Sequence, residues 1–239
     1  MGICRLPQEI VVPSSGPPKG KTLDEYTWEE IDYISSNGLA SEYGFQVGDE
    51  KNIILSTNEA LTLAIMDFDH DDLADGTGKA GITFGLKNLM ASTRQMNSSN
   101  TNSGGFTGSA MYTWLQGDLL NSLPADLQTV LKNVNKKTSA GNQSSTINTN
   151  AMKVFLFAEI EIFGAVTHSA EGEGEQYSYF ATDANRIKSL SNGSGSLQSW
   201  WTRSPSIKFT GEFCRLNTAG GTGSYGANSS WGVCFGFCV

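Results

Sequence analysis

The last forty residues constrain the fold most. They read WWTRSP, SIKFTGE, FCRLN, TAGGTGSYGANSSW and GVCFGFCV over 200–239. Aromatic and glycine anchors alternate there with small or polar residues. An apolar end such as 232–239 must be buried, and its composition predicts a strand. A tethered end makes the residues between the anchors loops held on a rigid support, the usual place for binding groups.

The rest of the chain supplies that support. A chain of 239 residues makes one large domain or two small ones and can bury a real core. Hydrophobic residues are 38%, charged residues only 17%, and 27 glycines predict many turns and a neutral polar surface. The net charge of −8 lacks the basic footprint of a nucleic-acid binder. It also disfavours anionic membrane surfaces. No apolar run approaches the roughly 20 residues that span a bilayer, so membrane insertion is not expected. The first eight residues show no secretory signal pattern.

Residues 1–21 hold four of the six prolines and read as a linker or arm; the domain is expected over 22–239. Thr27 and Glu30 form a capping box that predicts a helix over 28–37, stopped by Gly38. Short strands are expected at 52–55, 61–66 and 81–84. The Asn/Ser-rich stretch 97–105 reads as a loop, 111–120 and 124–134 as helices with Pro124 opening the second, and 135–150 as a loop. The most apolar stretch, 152–162, reads as a buried strand with Glu159 and Glu161 on one face. Regular structure is expected to stop after Ser189, apart from the final strand. The pattern is mixed α+β without internal repeats.

Several motifs touch on chemistry. Asp67, Asp69 and Asp71, in DFDHDDLADG, offer alternating carboxylates of the kind calcium takes. EF-hand spacing fails, because Asp72 stands where Gly is required and Gly78 where Glu is required, so a solvated acidic turn competes with calcium. Gly221, Gly223 and Gly226 match GxGxxG literally, but only 13 residues follow, too few for a dinucleotide unit. His70 and His168 are the only imidazoles and no GxSxG elbow exists, so no nucleophilic triad is legible. Cys4, Cys214, Cys234 and Cys238 fit no zinc spacing and read mainly as buried thiols, with a disulfide among the last three as the alternative.

The segments TWEEIDYISSNGLASEYGFQVG (27–48), HDDLADGTGKAGITFGLKNL (70–89), NSSNTNSGG (97–105), LPADLQTVLKNV (123–134) and WWTRSP (200–205) resemble a DUF6273-like domain family of Firmicutes and their phages. Members end in a pattern like WWxRSP…FCxVN…GVAPGFCV. The family resembles the C-type-lectin-like (formylglycine-generating-enzyme-like) variable proteins of diversity-generating retroelements. That implies an α+β fold with short strands, two or three helices and long irregular C-terminal loops. In such proteins Asn codons in a C-terminal repeat are rewritten, and the altered side chains form a ligand-binding surface on a fixed backbone.

Set against that pattern, Trp200, Trp201, Arg203, Ser204, Pro205, Phe213, Cys214, Asn217, Gly220, Ala227, Gly232, Val233, Gly236, Phe237 and Cys238 are kept. The resemblance makes Ser206, Lys208, Phe209, Gly211, Glu212, Arg215, Thr218, Ala219, Gly221, Gly223, Ser224, Tyr225, Gly226, Asn228, Ser229 and Trp231 the variable, ligand-binding positions. Cys234 and Phe235 replace the usual Ala-Pro, and Lys208, Glu212 and Trp231 are not reachable from an AAC codon by adenine changes alone.

The resemblance implies a non-enzymatic receptor-binding protein in a phage tail (virion) or at a bacterial cell surface. Its partner would be a protein or glycan receptor, with no nucleic acid and no cofactor. Phe209, Tyr225 and Trp231 are the expected anchors of contact, and Arg203 is expected to tie loops through backbone carbonyls. Such tips are often oligomeric in related proteins, so a homo-oligomer is among the arrangements implied. Two alternatives are a structural virion or surface module, and an oxidase of the formylglycine-generating type using Cys234 and Cys238.

Overall fold

The computed structural model describes residues 16–239; the first fifteen residues of the expected arm lie outside the described residues. Its elements, in chain order, are α1 (Trp28–Ser36), β1 (Glu50–Ile54), β2 (Ala60–Phe68), β3 (Ile82–Leu86), β4 (Arg94–Gln95), α2 (Ala110–Trp114), α3 (Leu120–Ser122), α4 (Ala125–Val130), β5 (Val134–Ser139), β6 (Ile147–Met152), β7 (Val154–Leu156), α5 (Glu159–Phe163), β8 (Trp200–Pro205), β9 (Glu212–Leu216), β10 (Thr222–Gly226), β11 (Ser230–Trp231) and β12 (Phe235–Cys238). A π-helical segment, Leu115–Leu119, joins α2 to α3. The fold is α+β.

The main sheet runs β1-β2-β3-β12-β7, with every neighbouring pair antiparallel. The final strand therefore lies inside the sheet, between β3 and β7, as the apolar end VCFGFCV demands. Strand alternation gives β3 and β12 two different faces. Phe84 and Phe237 are cross-strand partners, their rings 5.7 Å apart, and Trp28 of α1 meets both edge-on at 5.4 and 5.9 Å. The next pair, Gly85 and Gly236, leaves room on the opposite face for Phe157. The helix α1 starts as its capping box dictates: the Glu30 amide donates to Thr27 Oγ1 at 3.2 Å and the Thr27 amide donates to Glu30 Oε2 at 2.8 Å.

Four expectations are corrected. Residues 135–150 are not a loop: β5 and β6 pair in register from Val134↔Met152 to Ser139↔Ile147. Its buried face is Val134, Lys136 and Thr138, and Lys136 is inside because it is ion-paired, so no apolar alternation marks the strand. Of the predicted strand 152–162, Met152 ends β6 and Val154–Leu156 form β7; Glu159 and Glu161 lie on α5, both buried. The helix after Pro124 ends at Val130, because Leu131 turns extended and β5 begins at Val134. Regularity does not stop after Ser189, since β8, β9 and β10 form a sheet in the order β10-β9-β8 and β11 pairs with β4.

The Gly85–Gly236 pair generates a prediction. A Cβ built on Gly236 would stand 2.7 Å from Phe157 Cζ and 2.9 Å from the Phe84 carbonyl oxygen. Gly236→Ala is expected to overpack this sheet and lower stability by about 1–3 kcal/mol, read by thermal or urea denaturation. A variant as stable as the parent would show that Phe157 yields to the added methyl.

Candidate ligand-binding surface

The C-terminal stretch begins with a bulge. Between the pairs Trp201↔Arg215 and Pro205↔Phe213, β8 has Thr202, Arg203 and Ser204 where β9 has only Cys214. The surplus residues turn inward and are buried. Arg203 donates from Nη1 to the Leu156 carbonyl (2.9 Å), from Nε to that of Lys137 (3.0 Å) and from Nη2 to that of Glu173 (2.6 Å). The expected carbonyl tethers are thus present. The sequence missed the acid: Glu161 receives the guanidinium with both oxygens, Nη2 to Oε1 at 2.7 Å. Glu161 Oε1 also lies 2.7 Å from Lys136 Nζ, which reaches Asp71 Oδ1 at 2.6 Å. Tyr177 and Thr83 hydroxyls donate to Asp71 Oδ2 at 2.8 and 2.6 Å.

Two further buried polar side chains brace the loops. Glu159 accepts from the amides of Thr167, His168 and Ser169 at 3.2, 3.0 and 2.8 Å, and from the Thr222 hydroxyl of β10. Asn102, fully buried in the 97–105 loop, donates from Nδ2 to the carbonyls of Ser206 (3.3 Å), Phe209 (2.9 Å) and Glu212 (2.8 Å). Its Oδ1 accepts from the Asn142 amide at 2.8 Å. One amide thus fixes three chain segments, a job that its place in a polar run did not announce.

On this frame the expected variable residues divide. Lys208, Phe209 (54% exposed), Thr218, Ala219, Tyr225 (47%) and Asn228 are exposed. Glu212, Arg215, Gly221, Gly223, Ser224, Ser229 and Trp231 are half-buried. Ser206 is a correction, because it is 1% exposed and its amide donates to the Glu212 carbonyl at 3.0 Å. Gly211 and Gly226 are half-buried too, but a Cβ on either would come within 2.7 Å of the Asn100 side chain, so a larger residue needs Asn100 to move. The anchors between them, Trp200, Trp201, Phe213, Cys214, Ala227, Val233 and Phe237, are 0–1% exposed. Thr218 and Ala219 sit at the β9–β10 turn, about 10 Å along the hairpin from Tyr225 by strand rise, so the positions do not form one patch.

Tyr225, Trp231 and Arg215 do come together. The two rings meet edge-on at 5.3 Å, and the Arg215 guanidinium carbon lies 5.2 Å from the Tyr225 ring centre and 4.9 Å from that of Trp231. Trp231 is partly buried against the core, unlike Phe209 and Tyr225.

The other candidate groups separate. Asp67 accepts from the Ser178 amide and hydroxyl at 2.8 and 3.1 Å, Asp69 is an exposed turn residue, and Asp71 is buried on Lys136. Among the described residues no group of three or more His, Cys, Asp or Glu side chains is disposed to hold a metal ion. Cys214, Cys234 and Cys238 are free, buried thiols, and burial pushes all three upward in pKa.

A family model described as a domain of unknown function, DUF6273, matches residues 80–239. The chain belongs to the DUF6273 family. No curated protein and no solved structure matches it. The DUF6273 stretch contains Lys136, Glu161, Glu173 and Arg203, whereas His70 and Asp71 precede it, so the buried ion network joins the matched region to the chain before it.

That network sets a pH response. Glu173 is fully buried, and burial raises its pKa to about 7 against the nearby Arg203 charge. His70 stacks on Tyr177 at 3.9 Å; burial works against its proton, but the Asp71 and Glu161 carboxylates prevail and hold its pKa above the ordinary value. Asp71 and Glu161 are pushed up by burial yet end below the usual carboxylate range, because Lys136 holds the first and Arg203 with Lys136 the second. Between Glu173's ordinary 4.5 and its folded value near 7, the native state keeps a proton the unfolded chain has released. Stability therefore falls as pH rises through that window. His70 acts in the same direction: its contribution is present below the ordinary imidazole value of 6.5 and is lost as pH climbs through its folded value. The melting temperature is expected to decline from about pH 5 to about pH 8, and Glu173→Gln should flatten most of that slope. An unchanged slope in the variant would place the titrating group elsewhere.

Proposed function

We propose that the chain is a ligand- or receptor-binding protein that presents exchangeable side chains on a C-type-lectin-like scaffold. It would serve as a phage tail tip or bacterial surface adhesin, diversified by a retroelement, with a protein or glycan receptor on a cell surface as partner. The observation that carries this reading is the alternation of 206–231. Lys208, Phe209, Tyr225 and Asn228 are exposed while the anchors between them are sealed in the core. Exposed aromatics on a braced backbone supply contact area at low entropy cost. Asn102 holds that backbone by its carbonyls whichever side chains it carries, and Glu159 holds the adjoining 167–169 loop by its amides, which is what a display surface requires.

The test uses labelled protein on a panel of bacterial envelopes, scored by flow cytometry. Phe209→Ala and Tyr225→Ala together are expected to weaken binding to any envelope recognised by about 30-fold or more. The melting temperature should hardly move. Trp231→Ala is expected to lower both, because its ring also packs on the core. Full binding by the Phe209/Tyr225 double variant would remove this surface from the function. A near-copy of the 3′ coding end carrying Asn codons, beside a reverse transcriptase gene, is the genomic sign that retroelement diversification requires.

A further inference from the structure

A sheet edge is a row of backbone donors and acceptors, and folded chains cover or guard such rows. Both edges of the main sheet are engaged by side chains. On β1 the Asn52 amide donates to Asp24 Oδ1 at 2.7 Å. On β7 Gln116 donates to the Val154 carbonyl and Arg203 to that of Leu156. The outer strand of the β5–β6 hairpin is guarded by charge instead: Lys137 stands across from Thr149, and Lys153 follows Met152. β10 has neither device. It is the outer strand of the C-terminal sheet, with β9 as its neighbour, and its five residues TGSYG include no charge and no proline.

The register shows which groups β10 leaves over. The Asn217 amide donates to the Gly221 carbonyl and the Ala227 amide to that of Gly211, so residues 221, 223, 225 and 227 bond inward to β9. Thr222 and Ser224, between them, turn both backbone groups away from β9. Among the described residues those four groups have no partner. The side chains are occupied, Thr222 donating to Glu159 and Ser224 to Glu212. Gly226 turns outward as well, and its carbonyl accepts the Ser229 amide at 2.9 Å. Donors and acceptors that recur every second residue, about 6.8 Å apart at strand rise, match the backbone of another extended strand.

We propose that β10 pairs antiparallel with β10 of a second copy of this chain, Ser224 meeting Ser224 on a two-fold axis and Thr222 meeting Gly226, so that two three-stranded sheets join into one of six. The strand complements itself in this register. Each Ser224 gives and takes one backbone bond with its counterpart, and the Thr222 carbonyl accepts the Gly226 amide. Gly223 falls opposite Tyr225 of the second copy, on one face of the joined sheet. A Cβ on Gly223 would meet nothing within 4 Å, so the space beside it is open in the single chain, and Arg215 is its cross-strand partner on β9. A tyrosine ring entering from the second copy covers the glycine and comes to the cation. Charge agrees: the end of the joined ladder that carries Arg215 from one copy carries Glu212 from the other, whereas pairing through β6 would gather four lysines. Copies of net charge −8 repel, and an uncharged edge is where they meet at least cost. This pairing goes beyond the ligand-binding reading and does not depend on it.

The full chain is tested by sedimentation velocity over a dilution series. A monomer–dimer equilibrium is expected, strengthened by salt, which screens the repulsion between copies. Ser224→Pro removes an outward amide and no bond within the sheet, so the monomer should fold while the dimer dissociation constant rises about ten-fold or more. Ser224→Lys sets two cations against each other on the axis with the backbone intact and should have the same effect. Ser224→Ala keeps the backbone row and should leave the constant nearly unchanged, as should Thr149→Pro, the matching change on β6. Melting temperatures in the dilute range show that each variant folds, and Ser224→Lys decides if Ser224→Pro does not. A chain that stays monomeric throughout overturns the proposal, as does a dimer that survives both Ser224→Pro and Ser224→Lys. Loss of the dimer in Thr149→Pro places the interface on β6 and overturns it too. So does a dimer weakened by salt, which would be held by ion pairs. If the dimer forms as described while the Phe209/Tyr225 double variant binds envelopes in full, the display reading falls and the pairing stands.

Discussion

The structure turns on the buried chain of charges from Arg203 through Glu161 and Lys136 to Asp71. Each member comes from a different element: the β8 bulge, α5, β5 and the turn after β2. No pair within it could be buried alone without a large desolvation cost, and removing one partner would strand another charge in a dry interior. The network therefore fixes how the main sheet, the β5–β6 hairpin and the C-terminal sheet meet. Its tolerance is geometric: Arg203 is satisfied by two carboxylate oxygens and three backbone carbonyls, a set that Lys could not match.

This arrangement separates holding from touching. Buried polar groups at Arg203, Glu159 and Asn102 hold backbone by its amides and carbonyls, which every residue type but proline supplies in full. The side chains of the exposed positions Lys208, Phe209, Tyr225 and Asn228 contribute little to that hold, so the fold places little demand on their identity. Where the separation fails, the reason is local. Ser206 lies on the tethered side, and Gly211 and Gly226 are pressed against Asn100.

Much of this was legible in the sequence where local rules apply. The capping box at Thr27, the turn-forming polar run at 97–105 and the apolar terminal strand were each carried by neighbouring residues. The β5–β6 hairpin was not, because its inward face uses Lys136 and Thr138 and its apolar alternation is masked by a partner 65 residues away at Asp71. α5 was hidden for a related reason: Glu159 and Glu161 lie in an apolar run and look like strand alternation, whereas both are buried acids answering distant donors. The bulge at 202–204 could not be seen at all without its partner strand. Of the candidate surface, the exposed aromatics Phe209 and Tyr225 were readable from the anchor pattern, but the Arg94–Trp114 stacking beside Trp231 was not, since nothing local ties them together.

The placement of β12 has a consequence for inheritance. The strand follows closely on residues 206–231 and fills an interior slot of the main sheet. A shift of reading frame anywhere in 206–231 would replace FGFC and leave β3 and β7 without the neighbour between them. A frame-shifted copy therefore loses an interior strand and with it the fold, whatever side chains the stretch before it would have carried.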